Sequence, residues 1–157
     1  QRIKGLIPQL ELQQKNATDK TSGTVFEGFK AVTNIFLGIV DELKPGEHYQ
    51  VLGATYADVP GLREFFYKHH EKRAKKGVNL LMLANAEEKN KLERPTHKKA
   101  KIKFLPTGVN LNMEIVFYRT KLFIILWNKS PVAFYINSKE AVDNFQSYFN
   151  TFWEKNA

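Results

Sequence analysis

Four histidines, His48, His69, His70 and His97, carry the side chains of this chain best suited to holding a metal or moving a proton, and two of them are adjacent. Neighbours on a helix point about 100° apart, so His69 and His70 do not chelate one ion. No histidine or carboxylate recurs at helical spacing to complete a facial triad, and the histidines are read as surface residues with no metal between them. The serines Ser22, Ser130, Ser138 and Ser147 lie in linker, turn, cap and helix contexts without the glycine elbow that exposes a nucleophile. Gly53-Ala-Thr55 follows a strand pattern, but no Gly-Lys-Ser opens a helix after it, so neither a dinucleotide nor a P-loop fingerprint is met. No cofactor is expected.

Composition narrows the classes further. At 157 residues and 43% hydrophobic content the chain suits one compact core, with room for a short extension before it. It has no cysteine, which removes disulfide frameworks and thiolate metal sites and fits a cytoplasmic setting. The apolar runs are short and interrupted by charge, so no membrane partner is expected. The net charge of +8 is concentrated in Lys68–Lys76 and His97–Lys103. Each run is expected on a solvated helix face or at the start of a strand, where it also suits an acidic partner. Aromatic residues fall mostly in helical stripes and strand interiors and read as core. Tyr56 and Tyr67 are the two expected to reach a surface or cleft.

The elements that position these residues follow from periodicity. Residues 2–19 are polar, with a short helix expected from Pro8 to about Asn16, and residues 1–21 read as a linker before a folded unit at 22–157. Thr24–Phe26 is extended. From Phe29 to Lys44 apolar residues recur at helical spacing until Pro45-Gly46 stops them. His48–Ala54 reads as a buried strand, and Thr55–Asp58 as the loop after it. A helix from Pro60 ends at Gly77, and Val78–Ala84 is almost wholly apolar, as a strand covered on both faces must be. Asn85 is expected to cap a short helix reaching Glu93, closed by Pro95. Ala100–Leu105 alternates like an edge or near-edge strand. Two runs then fold about Arg119-Thr120 within NLNMEIVFYRTKLFIILWN (Asn110 to Asn128), and Val132–Ile136 is the last strand. Asn137 or Ser138 caps a closing helix, with Glu140 placed to reach back. The expected class is α/β, a mixed β-sheet flanked by helices.

Three phrases carry a resemblance. VFEGFKAVTNIFLGIVDEL (Val25 to Leu43) resembles the opening of the C-terminal effector domain of TrmB-type transcriptional regulators. HHEKRAKKGVNLLML (His69 to Leu83) is similar to that family's basic helix end, glycine and strand, and PVAFYINSKEAVDNFQSYFNTFWEKNA (Pro131 to Ala157) to its closing strand and helix. The resemblance spans about Gly23 to Ala157. It implies a phospholipase D-like layered domain, a homodimer, a sugar-type effector, and DNA bound through an N-terminal winged helix. A first residue of Gln1 rather than Met fits the expectation that such a module precedes this chain.

Phospholipase D-like enzymes use a His-x-Lys-x4-Asp motif on a strand leading to a turn, the histidine acting on phosphorus and the lysine on phosphate oxygens. Laid over this chain, the motif falls on Asn112, Glu114 and Arg119. Asparagine is no phosphorus nucleophile, and a carboxylate repels phosphate. Shifting the register to Arg119 and Lys121 puts Leu126 at the acid, which fails too. The resemblance therefore implies a non-catalytic effector-binding and dimerisation domain rather than an enzyme. The residues expected to face a ligand at the C-terminal ends of the strands are Thr55, Tyr56, Asn85, Asn112 and Glu114, whose hydroxyl, amide and carboxyl groups suit a polyol. Two alternatives stay open: a phosphodiesterase or nuclease with unusual catalytic residues, and a basic nucleic-acid-binding module.

Overall fold

A computed structural model describes residues 22–109 and 111–156. The expected linker, its short helix and residues Asn110 and Ala157 lie outside the described residues. The elements run β1 (Ser22–Glu27), α1 (Phe29–Glu42), β2 (His48–Ala54), α2 (Leu62–Lys76), β3 (Asn79–Ala84), two single 3-10 turns (Ala86–Glu88 and Arg94–His97), β4 (Ala100–Phe104), β5 (Met113–Tyr118), β6 (Lys121–Leu126), β7 (Val132–Asn137) and α3 (Lys139–Lys155).

The strands make one seven-stranded mixed sheet in the order β1-β7-β6-β5-β2-β3-β4. β2, β3 and β4 are parallel neighbours, whereas β5 runs antiparallel to β2 and continues as an antiparallel meander through β6 and β7 to β1. The reason lies in the connections: a helix returns the chain from β2 to β3, while the two-residue turn Arg119-Thr120 only reverses it. Arg119 takes a left-handed φ of 51° there. Its guanidinium bonds Glu47 at 2.7 Å and Glu42 at 3.3 Å, and Lys121 bonds Glu42 at 2.7 Å, which pins the hairpin to α1 and to the start of β2.

Helices cover both faces. Val32, Phe36 and Ile39 of α1 and Leu62 and Phe66 of α2 bury against Tyr49, Val51, Met82, Val116 and Ile125 on one side of the sheet. Val142 and Phe149 of α3 meet Leu52, Leu83, Ile115, Phe117 and Leu122 on the other. Alternation along β5 assigns its sides, with Glu114, Val116 and Tyr118 towards α1 and α2, and Ile115 and Phe117 towards α3. This is an α/β/α layered fold.

Ser138, the second of the two expected caps, accepts from Ala141 N at 3.1 Å. Three expectations need correction. Asn85 precedes only a single 3-10 turn and makes no capping bond. Pro95 does not close a helix but sits at the start of the second 3-10 turn, because its fixed φ suits a first turn better than an end. The histidine pair is not a surface feature: His69 and His70 are 1% and 4% exposed, and Arg73 in the same basic run is fully buried. They lie inside because Leu62, Phe66, His69 and Arg73 follow one helical stripe, so packing of the phenylalanine carries the histidine and arginine inward.

Gly53 shows how tightly β5 approaches β2. It adopts φ +83°, and a Cβ there would stand 2.8 Å from Met113 O and about 3 Å from the Leu111 side chain. Gly53→Ala is therefore expected to cost about 2 kcal/mol or more, from left-handed strain plus the clash with backbone. A loss of unfolding free energy in urea of less than a third of that amount would show that the two strands part easily.

Candidate ligand site

The parallel strands β2 and β3 end side by side at Ala54 and Ala84, and antiparallel β5 begins beside them at Met113. The expected ligand residues accordingly gather at one end of the sheet. Beneath this end lies a cavity of about 20 Å³ for the centre of a water-sized sphere, lined by Tyr49, Thr55, Tyr56, His70, Thr96 and Glu114 among aromatic and aliphatic side chains. That is room for about one water molecule.

Of the five expected ligand residues, Thr55, Tyr56 and Glu114 line this cavity. Thr55 Oγ1 donates to Glu88 Oε1 at 3.1 Å and accepts from Ala57 N at 3.0 Å. Tyr56 is buried, its hydroxyl accepting from Glu93 N at 3.1 Å while the Arg63 guanidinium lies 4.1 Å from its ring centre. Asn85 is buried and spans to the segment before β5: its Nδ2 donates to Leu111 O at 2.8 Å and its Oδ1 accepts from Leu111 N at 3.1 Å. Asn112 is exposed beside that clamp. Glu114 is buried and accepts from Trp127 Nε1 at 2.5 Å. Arg119, at the far end of β5, stands roughly 20 Å from Asn112 at the usual rise of a strand.

Electrostatics inside the cavity are set by burial. Desolvation pushes the Glu114 carboxyl up to about 8, against which the Trp127 hydrogen bond works only weakly. At neutral pH the group is a neutral acid, a donor as well as an acceptor. His69 meets the Tyr49 hydroxyl at 2.8 Å, and burial, reinforced by Arg73 and Lys72, holds its pKa down near 3. His70 is likewise held well below its ordinary value, first by burial and then by His69 and Arg73. Since Arg73 Nε donates to His70 Nδ1 at 3.0 Å, that nitrogen keeps its lone pair and the ring proton resides on Nε2. The Thr96 hydroxyl is buried at the cavity without a hydrogen-bond partner among the described residues. The interior thus presents neutral hydrogen-bonding groups among aromatic rings.

The segment 86–97 roofs this space with Leu92 and Thr96. It is fastened by Glu88 to Thr55, by Glu93 N to Tyr56, and by Arg63, which bonds Lys91 O at 2.8 Å and Glu93 Oε1 at 3.0 Å. His69, His70, Glu88 and Thr96 join the surroundings of this cavity, and Arg73 braces His70 and Thr96 from the side where β3 and β4 begin; none of the five was expected there from the sequence. The stripe from Leu62 through Phe66 to Arg73 was the available signal for the helix residues. Glu88 and Thr96 had none, because their role comes from tertiary contact. Among the described residues no group of three or more His, Cys, Asp or Glu is placed to hold a metal ion, and no helix is long and apolar enough to cross a membrane.

No family profile and no curated protein sequence matches this chain. Solved structures do. TrmBL2, an archaeal chromatin protein with a novel mode of DNA binding, aligns over 99% of this chain with a TM-score of 0.58 and 16% identity, and the chain spans 62% of that protein's length. The phospholipase D family member Nuc from Salmonella typhimurium aligns over 88% of this chain and 97% of its own, with a TM-score of 0.63 and 10% identity. NucT from Helicobacter pylori aligns over 88% and 99%, with a TM-score of 0.59 and 12% identity. At such identities the likeness is one of fold: the chain shares the layered fold of phospholipase D-family proteins and of TrmBL2.

Proposed function

We propose that this chain is a non-catalytic, ligand-sensing and self-associating domain of a TrmB-like transcriptional regulator. The observation that carries the reading is Glu114. Laying the phospholipase D motif over this chain puts its phosphate-binding lysine at Glu114, and that residue is a buried carboxyl bonded to Trp127. Such a group neither attacks phosphorus nor attracts phosphate, but it donates and accepts hydrogen bonds as a polyol binder must. The unpartnered Thr96 hydroxyl and the Thr55, Tyr56 and His70 side chains support a small polar ligand with an apolar face, such as a sugar.

We infer that a molecule of that size enters when the 86–97 segment lifts, since the cavity as it stands admits about one water. Its fastening through Thr55, Tyr56 and Arg63 gives the ligand a conformational step to control. Self-association is supported by Val25 and Phe134, cross-strand partners 53% and 40% exposed on the α3 side of the sheet, and by exposed Tyr148 and Phe152 on α3. DNA would be engaged by a winged helix outside this chain, and a cytoplasmic location goes with that role.

The test is a thermal-shift screen of sugars and polyols against the protein and a Thr55→Val, Thr96→Val double variant, run beside hydrolysis of a chromogenic phosphodiester. Stabilisation by one ligand class, lost in the double variant, with no turnover above buffer, is the expected result. Turnover that disappears in Asn112→Ala, or a screen without any stabilising ligand, would reject the reading.

A further inference from the structure

The positive charge is distributed unevenly. Several cations are paired with carboxylates: Arg119 with Glu42 and Glu47, Lys121 with Glu42, Arg63 with Glu93, and Lys139 with Asp143. Where β3 and β4 begin, the last turns of α2 meet the start of β4, and a groove between them is lined by Glu71, Lys72, Ala74, Lys75, Lys98 and Lys99. Lys99 also borders the adjoining depression at the start of β3 and β4, which Lys101 continues. Lys72, Lys75, Lys98, Lys99 and Lys101 are exposed, and among the described residues none forms an ion pair.

These lysines are held together by construction. Arg73 lies directly beneath them and donates to the carbonyls of Lys98 at 2.7 Å, Val78 at 2.9 Å, and Thr96 and Lys99 at 3.3 Å. With those carbonyls turned inward, and Lys99 at a left-handed φ of 48°, the segment is fixed against α2. Five unpaired ammonium groups gathered around one carboxylate repel one another, and an anionic partner that displaces their counterions is favoured there.

From this geometry we propose that the α2–β4 groove is a docking surface for the phosphate backbone of duplex nucleic acid, separate from the cavity and from any winged helix. The chemistry favours that partner over others. Lysines are point charges suited to phosphates without sequence readout, and the groove has no aromatic platform for unstacked bases. Its only apolar lining residue is Ala74, which leaves nothing to insert into a lipid surface. The proposal does not depend on the effector reading, and either can fail alone.

Fluorescence anisotropy of a short mixed-sequence DNA duplex with the 157-residue protein tests it. About four phosphate contacts predict a slope of log K against log salt near −3.6, or an affinity loss of about 100-fold between roughly 50 and 200 mM salt. Lys72→Glu, Lys75→Glu, Lys98→Glu and Lys99→Glu together should abolish binding, and the same four changed to Gln should flatten the slope to near zero. A control reversing Lys30, Lys89, Lys129 and Lys155, also exposed, changes net charge equally and should retain most of the affinity. Equal loss in the control would overturn the proposal, since net charge alone would then explain binding. Absence of binding at low salt, or stronger competition by poly-glutamate than by unlabelled duplex, would overturn it as well, the latter in favour of an acidic protein partner.

Discussion

Arg73→Met should destabilise the protein by about 3–5 kcal/mol, the usual consequence of removing one side of a fully buried polar network. The guanidinium is wholly inaccessible, and burial alone lowers its pKa, yet no carboxylate accompanies it. Its donors are instead taken by His70 Nδ1 and by the carbonyls of Val78, Thr96, Lys98 and Lys99. These acceptors come from α2, the start of β3, the second 3-10 turn and the start of β4, so one side chain joins four segments. Methionine fills similar volume but leaves the carbonyls unpaired, at about 1–3 kcal/mol for each that water does not reach. The melting temperature should fall by about 10 °C. Arg73→Lys, with the charge but a single ammonium in place of the planar fork, should recover less than half of the loss. A urea-unfolding loss below about 1 kcal/mol for Arg73→Met would show that the four segments hold one another without it.

Stability should also peak near pH 6.5, with Glu114 setting the alkaline side and the buried histidines the acid side. Glu114 titrates at about 8 in the folded protein against 4.5 as a free side chain. Between those values the folded state holds a proton that the unfolded state releases, so the contribution is complete below 4.5 and is lost as pH rises through 8. His69 has the opposite sense. It titrates at about 3 when folded against 6.5 when free, and His70 is shifted the same way, so below 6.5 the unfolded state takes up protons that the folded state refuses. Above 6.5 only the Glu114 slope remains, about 1.4 kcal/mol for each pH unit. Between 4.5 and 6.5 His69 offsets the carboxyl slope and the downward shift of His70 adds to the histidine side, so stability falls towards acid. Glu114→Gln keeps an acceptor for Trp127 and removes the titration. The variant should match the parent near pH 5 and exceed it by several kcal/mol at pH 9, with a flat profile above 6.5. Urea midpoints across that range decide the matter. An alkaline decline that persists in Glu114→Gln would assign it to another group.

Protonating His70 has a further structural effect. An imidazolium has no lone pair for Arg73 Nε, so acid that charges His70 also breaks one of the five bonds of the arginine. The acid limb and the Arg73 network therefore belong to one cooperative region.

Strand and helix positions were legible from local pattern. His48–Ala54 has the same bounds in the structure as in the sequence reading, and Ser138 caps α3 as one of the two expected residues. Periodicity, a proline and a glycine suffice for such features, because each acts within a few residues. The convergence of Thr55, Tyr56 and Glu114 was partly legible too, since strand ends and alternation specify one end and one face of the sheet. What the sequence alone determined, then, was the layered class and the excess of lysine and arginine over acid.

Only the tertiary structure decided which polar residues go inside. A basic run such as Lys68–Lys76 looks uniformly solvated, but burial of Phe66 draws His69, His70 and Arg73 inward, and carbonyls up to 26 positions away in the sequence make that burial tolerable. The same long-range contacts turn the neighbouring lysines outward into one groove and close the 86–97 segment over Glu114. A charged side chain enters a core only when partners from distant segments meet its hydrogen bonds, and no short window of sequence carries those partners.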